Sequence, residues 1–422
     1  MKIGCLHTFR YYICLVCLIG WLCVPLRGKA QAVEGGYGMG GIIKLDDFLQ
    51  HALKQQQARA FWVGYSYQTH ADEDCGYASD FNYPAFTFGL LVADFNDVRL
   101  RYNPRGTRPI HYDSRCGTSY VAYASLRRAF FRASSGWSAD YVFSNGIGYN
   151  THIYDRFSNV DNVMFGSRLS VYFNLSISLK YRYRQCEVFV GPEFRHLSNG
   201  GVVRPNKGIN KAGVGMGVRY YLEPYDSLSL VRMRNPFEEK RLYLDISYSS
   251  GFRGAQGEWL YDANNYLWRD NDVYNVKYGK DGYRLCYYHM LSTGIMYRYA
   301  RRYASGVGID ALYEPYNRDV EIQSSADRSS LTRWSFGVAA KHEVFFRRLS
   351  MQMALGWYLS RPFNEVSNTT EEYPFYERIG LRYRLPVLND CLSVGYTIHA
   401  HMVKAYGTEL VIDVKLPLTK KH

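Results

Sequence analysis

The sequence predicts an all-β protein, a transmembrane antiparallel up-and-down β-barrel of about 16 strands. Three observations support this prediction. Apolar and polar residues alternate along segments of about ten residues from Phe61 onward. Long and short connections alternate between these segments. The composition is rich in tyrosine (40 residues) and glycine (37 residues), with tyrosine suited to membrane–water interfaces. Strands with one apolar and one polar face, joined in this way, are typical of bacterial outer-membrane barrels.

The first 32 residues are expected to be a cleaved signal peptide. Lys2 and Arg10 precede an apolar stretch, Tyr11 to Pro25, that is short for a membrane helix, and Ala30-Gln31-Ala32 provides a small-residue cleavage site. Cysteines inside the stretch raise the alternative of a lipoprotein, but the small residue expected before a lipidated cysteine is missing. We therefore predict export to the bacterial outer membrane.

Charge and cysteine content restrict the function classes. The formal net charge is +13, and a basic exported barrel fits a polyanionic lipid surface better than nucleic acid. Five cysteines follow the signal segment, an odd number without any C-x-x-C pair. This spacing indicates neither a zinc cluster nor a disulfide framework, and we expect no metal or cofactor. If the strands run up and down as predicted, Cys116 lies at the opposite end from Cys75 and Cys186 and pairs with neither.

The alternation is clearest from Phe165 to Tyr181, where Phe165 and every second residue from Leu169 to Tyr181 are apolar or aromatic. A period of two places these residues on one face of a strand. Similar segments predict sixteen strands near 37–45, 60–69, 84–95, 117–129, 135–149, 164–182, 187–199, 210–222, 240–251, 284–300, 303–314, 332–346, 348–360, 374–386, 390–401 and 405–417.

The connections set the expected domain organisation. Residues 33–222 form eight predicted strands, and residues 223–422 supply the C-terminal strands that we expect to complete the same barrel. Two turns, 70–83 and 223–239, are longer than periplasmic turns usually are. Two separate eight-stranded barrels are the alternative, and a soluble β-sandwich would not explain the asymmetry between the loops at the two ends.

One hairpin carries an unusual set of polar residues. His196 and Ser198 share the parity of the apolar Val188 and Val190, so both are predicted to point outward, toward lipid. Asn210 has the outward parity on the returning strand, where we expect it opposite Ser198. Imidazole, hydroxyl and amide would then cluster on the outer wall of the barrel.

The motif H-x-S-N-G-G at 196–201, followed by P-N-x-G-I at 205–209, resembles the outer-membrane lipid A 3-O-deacylase / acyloxyacyl hydrolase family. The resemblance covers roughly residues 37–222. It implies a serine esterase in which His196 is the general base and Ser198 is the nucleophile. It further implies that Asn206 helps to form the oxyanion hole, with Asn199 and Gly200 as accessory positioning residues.

The sequence departs from the family pattern at one position. The family places a glutamate after P-N-x-G-I to orient the histidine, whereas this chain has Asn210. An amide can orient an imidazole but cannot stabilise the imidazolium by charge. Either Asn210 serves as the third catalytic residue, or the site is degenerate.

The expected substrate is lipid A of lipopolysaccharide in the outer leaflet. Arg204, Lys207 and Lys211 lie near the motif and would suit contacts with phosphate. The expected function is therefore an outer-membrane esterase that removes an ester-linked acyl chain from lipid A. A porin-like channel and a non-catalytic lipopolysaccharide-binding barrel are the alternatives.

Overall fold

The computed structural model describes residues 31–45, 47–69, 76–102, 112–155, 158–222, 240–254, 285–315, 333–361, 374–401 and 404–418. These residues form sixteen antiparallel strands, which confirms the predicted all-β class and strand number. The predicted signal segment, apart from its last two residues, lies outside the described residues, so the signal peptide stays a prediction.

The first eight strands close into one barrel. Period-two alternation gives each of them a buried face and an exposed face. The elements are β1 (Gln31–Ile42), α1 (Asp47–Ala52), β2 (Leu53–Gln68), α2 (Tyr77–Asp80), β3 (Ala85–Leu100), β4 (Ser114–Arg132), β5 (Trp137–Asn150), β6 (Leu169–Tyr183), β7 (Cys186–Ser198) and β8 (Ile209–Tyr221).

The last eight strands close into a second barrel. They are β9 (Arg241–Gly254), β10 (Leu285–Ala300), β11 (Tyr303–Tyr313), β12 (Trp334–Phe346), β13 (Leu349–Ser360), β14 (Phe375–Arg384), β15 (Leu392–His401) and β16 (Lys404–Pro417), with a short 3₁₀ turn at Leu388–Asp390.

This closure corrects the expectation that residues 223–422 complete the same barrel as residues 33–222. β1 pairs with β8, and β9 pairs with β16, so neither half leaves an open edge for the other. The β1–β8 seam is tight: a Cβ at Gly40 would lie 2.1 Å from the Ala212 carbonyl oxygen, and one at Gly213 would lie 2.0 Å from that of Met39. Glycine at these two positions lets the closing strands approach.

The outer walls of both barrels are apolar. Large side chains such as Val63, Leu90, Ile295 and Val307 are more than half exposed. Exposure of aliphatic side chains in continuous bands is unfavourable in water and favourable in hydrocarbon. The walls therefore match the interior of a bilayer. Among the described residues, no helix is long and apolar enough to cross a membrane.

Ion pairs fill the interior of the first barrel. Glu193 bonds Arg195 at 2.6 Å and Lys211 at 2.8 Å, and Asp140 bonds Lys180 at 2.6 Å. Removing one partner of a buried ion pair costs about 3–5 kcal/mol of stability, because the other charge is left buried and unpaired. A cavity of about 70 Å³ lies among these side chains, which is room for a few water molecules.

Charged and polar side chains also pair inside the second barrel. Glu409 bonds Arg378 at 2.5 Å and His399 at 3.1 Å. Lys415 bonds Glu343 at 3.0 Å and Asp413 at 2.7 Å. These contacts therefore cross part of the interior of the second barrel.

The long turn near 70–83, which breaks the short-turn rule, packs against the second barrel. Its described part includes α2, whose Tyr77 hydroxyl accepts a hydrogen bond of 2.7 Å from Arg298. Asp80 forms an ion pair of 3.1 Å with Arg301. Tyr77 and Phe81 join a buried cluster with lumen-side residues of the second barrel, Tyr243, Met296, Ala304 and Phe345. The extra length of this turn therefore joins the two barrels at one end.

The cysteine prediction is confirmed where the structure describes it. Cys116 is buried in the first barrel and Cys186 is exposed at the start of β7, and both are free thiols. Cys75 lies outside the described residues.

Candidate active site

The candidate site lies on the outer wall formed by β6, β7 and β8. Along β7, Glu187, Glu193 and Arg195 are buried in the lumen, whereas Val188 is about half exposed on the other face. His196 has the parity of Val188, so its ring lies on the outer face, as predicted. Phe173 of β6 is directly opposite His196, which places an aromatic ring beside the imidazole.

The register between β7 and β8 differs from the prediction by two residues. His196, and not Ser198, lies opposite Asn210. Residues 199–208 form a loop that starts after Ser198, so Ser198 has no partner on β8 in the described pairing. The outward parity of Asn210 is unaffected, because a shift of two residues preserves the face.

The three side chains form one hydrogen-bonded chain. His196 Nδ1 lies 2.8 Å from Asn210 Oδ1, and His196 Nε2 lies 2.8 Å from Ser198 Oγ. An amide oxygen can only accept, so Nδ1 carries the hydrogen and Nε2 accepts from the serine hydroxyl. This tautomer is the one that can take a proton from serine.

The loop after Ser198 is held by its asparagines. The Asn206 side-chain oxygen accepts a bond of 2.9 Å from the Asn199 backbone N–H. The Asn199 side-chain amide donates to the Val203 carbonyl at 2.8 Å and to the Ser167 hydroxyl at 3.2 Å. The Asn199 side chain therefore holds the loop in shape. Because the Asn206 oxygen faces the Asn199 N–H, the amide nitrogen of Asn206 points away from Asn199.

Gly208 lies directly against the reactive pair. Its φ of +68° is in the left-handed region, and a Cβ there would lie 2.9 Å from Ser198 Cβ and 3.0 Å from His196 Cε1. Only glycine fits this backbone conformation and this contact without displacement. Ser198 is accordingly only 6 % exposed, although it ends a strand whose outer face is open.

Comparison with known families identifies the chain. A family model described as lipid A 3-O-deacylase (PagL) matches residues 96–219, and a model described as acyloxyacyl hydrolase, C-terminal domain, matches residues 266–413. The chain belongs to the lipid A 3-O-deacylase family. Each model falls mainly within one of the two barrels, and the first range contains the whole Ser198, His196 and Asn210 constellation. The family together with the barrel fold indicates an outer-membrane lipid A deacylase, a hydrolase of acyl esters.

Similarity to solved structures is distant. The outer membrane enzyme PagL is 15 % identical with a TM-score of 0.27, covering 46 % of this chain and 99 % of that one. A porin of Rhodopseudomonas blastica is 7 % identical with a TM-score of 0.16, covering 92 % and 99 %. The toluene transporter TodX of P. putida is 9 % identical with a TM-score of 0.19, covering 93 % and 91 %. No curated protein matches the chain.

The basic residues expected to contact phosphate lie in three different environments. Lys211 is buried in the lumen against Glu193, because its parity on β8 points inward, so the expected phosphate contact of Lys211 is wrong. Arg204 is buried where the loop meets Gly254 of β9. Lys207 is half-buried with its ammonium 5.5 Å from the ring of Phe48. Of the three residues, only Lys207 is not fully buried.

A second serine–histidine pair lies on the outer wall of the second barrel. Ser305 Oγ is 2.8 Å from His342 Nδ1, and the two residues are directly paired across β11 and β12. No described residue forms a hydrogen bond with His342 Nε2, and no glycine-rich loop follows Ser305. The Ser305–His342 pair therefore has no third member among the residues that the structure describes, which makes Ser305 a matched control for Ser198.

Sequence reasoning missed three residues at the site. Gly208 belongs to the quoted motif, but its contact with Ser198 and His196 required the loop conformation. Gly254 and Thr408 of the second barrel contact the loop after Ser198. Nothing local in the sequence marks these two, since the contacts join segments far apart in the chain.

Proposed function

We propose that this chain is a serine esterase that removes one ester-linked acyl chain from lipid A. The observation that supports the proposal most is the continuous hydrogen-bonded chain from Ser198 through His196 to Asn210 on the apolar outer wall of the barrel. A lipid in the membrane reaches such a site laterally, without leaving the bilayer.

The reaction would begin at the serine hydroxyl. Ser198 Oγ attacks the ester carbonyl carbon while its proton moves to His196 Nε2, a transfer that typically contributes about 10²- to 10⁴-fold in rate. Asn210 Oδ1 holds the Nδ1–H and keeps the ring in the required orientation. The tetrahedral intermediate then expels the sugar alkoxide, which takes the proton from His196. Water hydrolyses the acyl-enzyme by the same steps and regenerates Ser198.

The negative oxygen of the intermediate needs fixed donors. The Asn206 side-chain nitrogen and the backbone N–H groups of Gly200 and Gly201 are the candidate donors in the loop after Ser198. Donors held before the reaction are effective because no reorganisation is needed when charge develops.

The surrounding surface fits an acylated substrate. Leu175, Val190, Val214 and Met216, on β6, β7 and β8, are nearly half exposed on the same wall. Acyl chains can pack against this wall while the sugar stays at the loop end. Lys207 lies in that loop and would contact an anionic phosphate of the headgroup. The filled interiors of both barrels give no support to the channel alternative.

The test is direct. The purified chain in detergent or in vesicles is incubated with lipopolysaccharide, and lipid A is analysed by mass spectrometry. The proposal expects loss of one hydroxyacyl chain with appearance of the free fatty acid. If no acyl chain is lost from any lipid A offered, the non-catalytic lipopolysaccharide-binding barrel becomes the better account.

A further inference from the structure

The loop that follows Ser198 is attached to the second barrel by two hydrogen bonds. Thr408 Oγ1 of β16 donates to the Gly200 carbonyl at 3.3 Å, and the Gly254 backbone N–H at the end of β9 donates to the Gly201 carbonyl at 2.8 Å. Both donors belong to neighbouring strands of the second barrel, since β16 pairs with β9.

The contact is close enough to fix the loop. Gly200 and Gly201 have φ of +66° and +81°. A Cβ at Gly200 would lie 2.4 Å from Thr408 Oγ1, and a Cβ at Gly201 would lie 2.9 Å from the Tyr406 carbonyl oxygen. Thr408 is itself only 3 % exposed, so water does not compete for its hydroxyl.

These bonds determine where one backbone donor points. In a planar trans peptide, the carbonyl and the N–H point in opposite directions. The Gly200 carbonyl points at Thr408 of the second barrel, so the N–H of Gly201 points away from that barrel. The first barrel, with Ser198 three residues earlier, lies on that side of the loop.

We propose that the second barrel is a positioning element of the active site. Thr408, assisted by the backbone of Gly254, holds the Gly200–Gly201 peptide so that the Gly201 N–H donates to the oxyanion formed at Ser198. Thr408 is a positioning residue that does not touch the substrate. The inference rests on the proposed esterase function and adds to it a reason for the two-barrel fold.

The test compares Thr408→Val and Thr408→Ala, which lack the hydroxyl, with Thr408→Ser, which keeps it. Loss of one oxyanion donor costs about 10²- to 10³-fold in kcat, and loss of its positioning is expected to cost roughly 10- to 100-fold. We expect that fall for Val and Ala with KM for lipid A unchanged, and near wild-type kcat for Ser. Barrel closure is checked by heat-modifiable gel mobility.

Thr397→Val is the matched control. Thr397 is an equally buried threonine of β15 whose hydroxyl bonds Arg382 within the second barrel and not the loop. It should leave kcat unchanged. Wild-type kcat in Thr408→Val, an equal loss in Thr397→Val, or a loss expressed only in KM would overturn the positioning role while leaving the esterase proposal intact. Wild-type protein that releases no acyl chain overturns both.

Discussion

His196 and Asn210 face each other across the β7–β8 hairpin, with Nδ1 and Oδ1 2.8 Å apart. Both residues lie within paired strands, so the backbone register itself sets the position of the imidazole. Sites built on strands hold catalytic geometry more tightly than sites built on loops. Asn210 is therefore in the position where the proposed mechanism needs a residue that orients the imidazole.

Asn210→Leu should lower kcat roughly 10- to 1000-fold, because the imidazole loses the acceptor that fixes its tautomer. Asn210→Asp keeps the shape, supplies a negative charge beside the imidazolium, and should retain or raise kcat. Both values come from fatty-acid release under saturating lipid A. Equal activity of Asn210→Leu and wild type would make Asn210 a bystander.

Gly208→Ala should remove most activity while the barrels still assemble. The added methyl group would lie 2.9 Å from Ser198 Cβ and 3.0 Å from His196 Cε1 at a left-handed φ, so the reactive pair must move. Displacement of about 1 Å costs on the order of 10²-fold in rate. Gly35→Ala is the control, because its methyl group would meet its nearest atom, the Trp62 carbonyl oxygen, at 3.7 Å. Undiminished turnover in Gly208→Ala would show that the site does not depend on this contact.

Losses at His196 and Ser198 should not add. The base and the nucleophile act as one unit, so His196→Ala, Ser198→Ala and the double variant should retain similar residual rates. Single-turnover release of fatty acid from lipid A measures all three. A double variant much slower than either single variant would indicate that the two residues act in separate steps.

The sequence was sufficient to predict the strands because period-two alternation is a local signal. All sixteen predicted segments overlap the observed strands, and the outward parity of His196 follows from the same pattern. Barrel closure could not be predicted in this way. The alternation is identical whether β8 pairs with β1 or with β9, and the choice depends on contacts such as Gly40 with Gly213 that join distant segments.

The site could be predicted only in part, because some of its features are local in sequence and others depend on how the chain folds. The outward placement of Ser198, His196 and Asn210 follows from parity, but their register does not, because hairpin pairing depends on how the 199–208 loop folds. The burial of Lys211 follows from its own parity, which outweighs its closeness to the motif along the chain.

The purified protein should not conduct ions as a porin does. Glu193, Lys211 and Arg195 bridge the first interior, and Glu409 with Arg378 bridges the second. Planar bilayer recordings with a known porin as the positive control measure this. Stable open-channel currents from the wild-type chain would mean that these interiors open in the membrane.

The measurement that tests the central claim most directly is fatty-acid release from lipid A by wild type, Ser198→Ala and Ser305→Ala, each verified as closed barrels by heat-modifiable mobility. Loss of the nucleophile should lower kcat by at least roughly 10³-fold in Ser198→Ala. Ser305→Ala should match wild type, since the Ser305–His342 pair lacks an orienting residue among those described. Full activity in Ser198→Ala, or an equal loss in both variants, would contradict the assignment of Ser198 as the nucleophile.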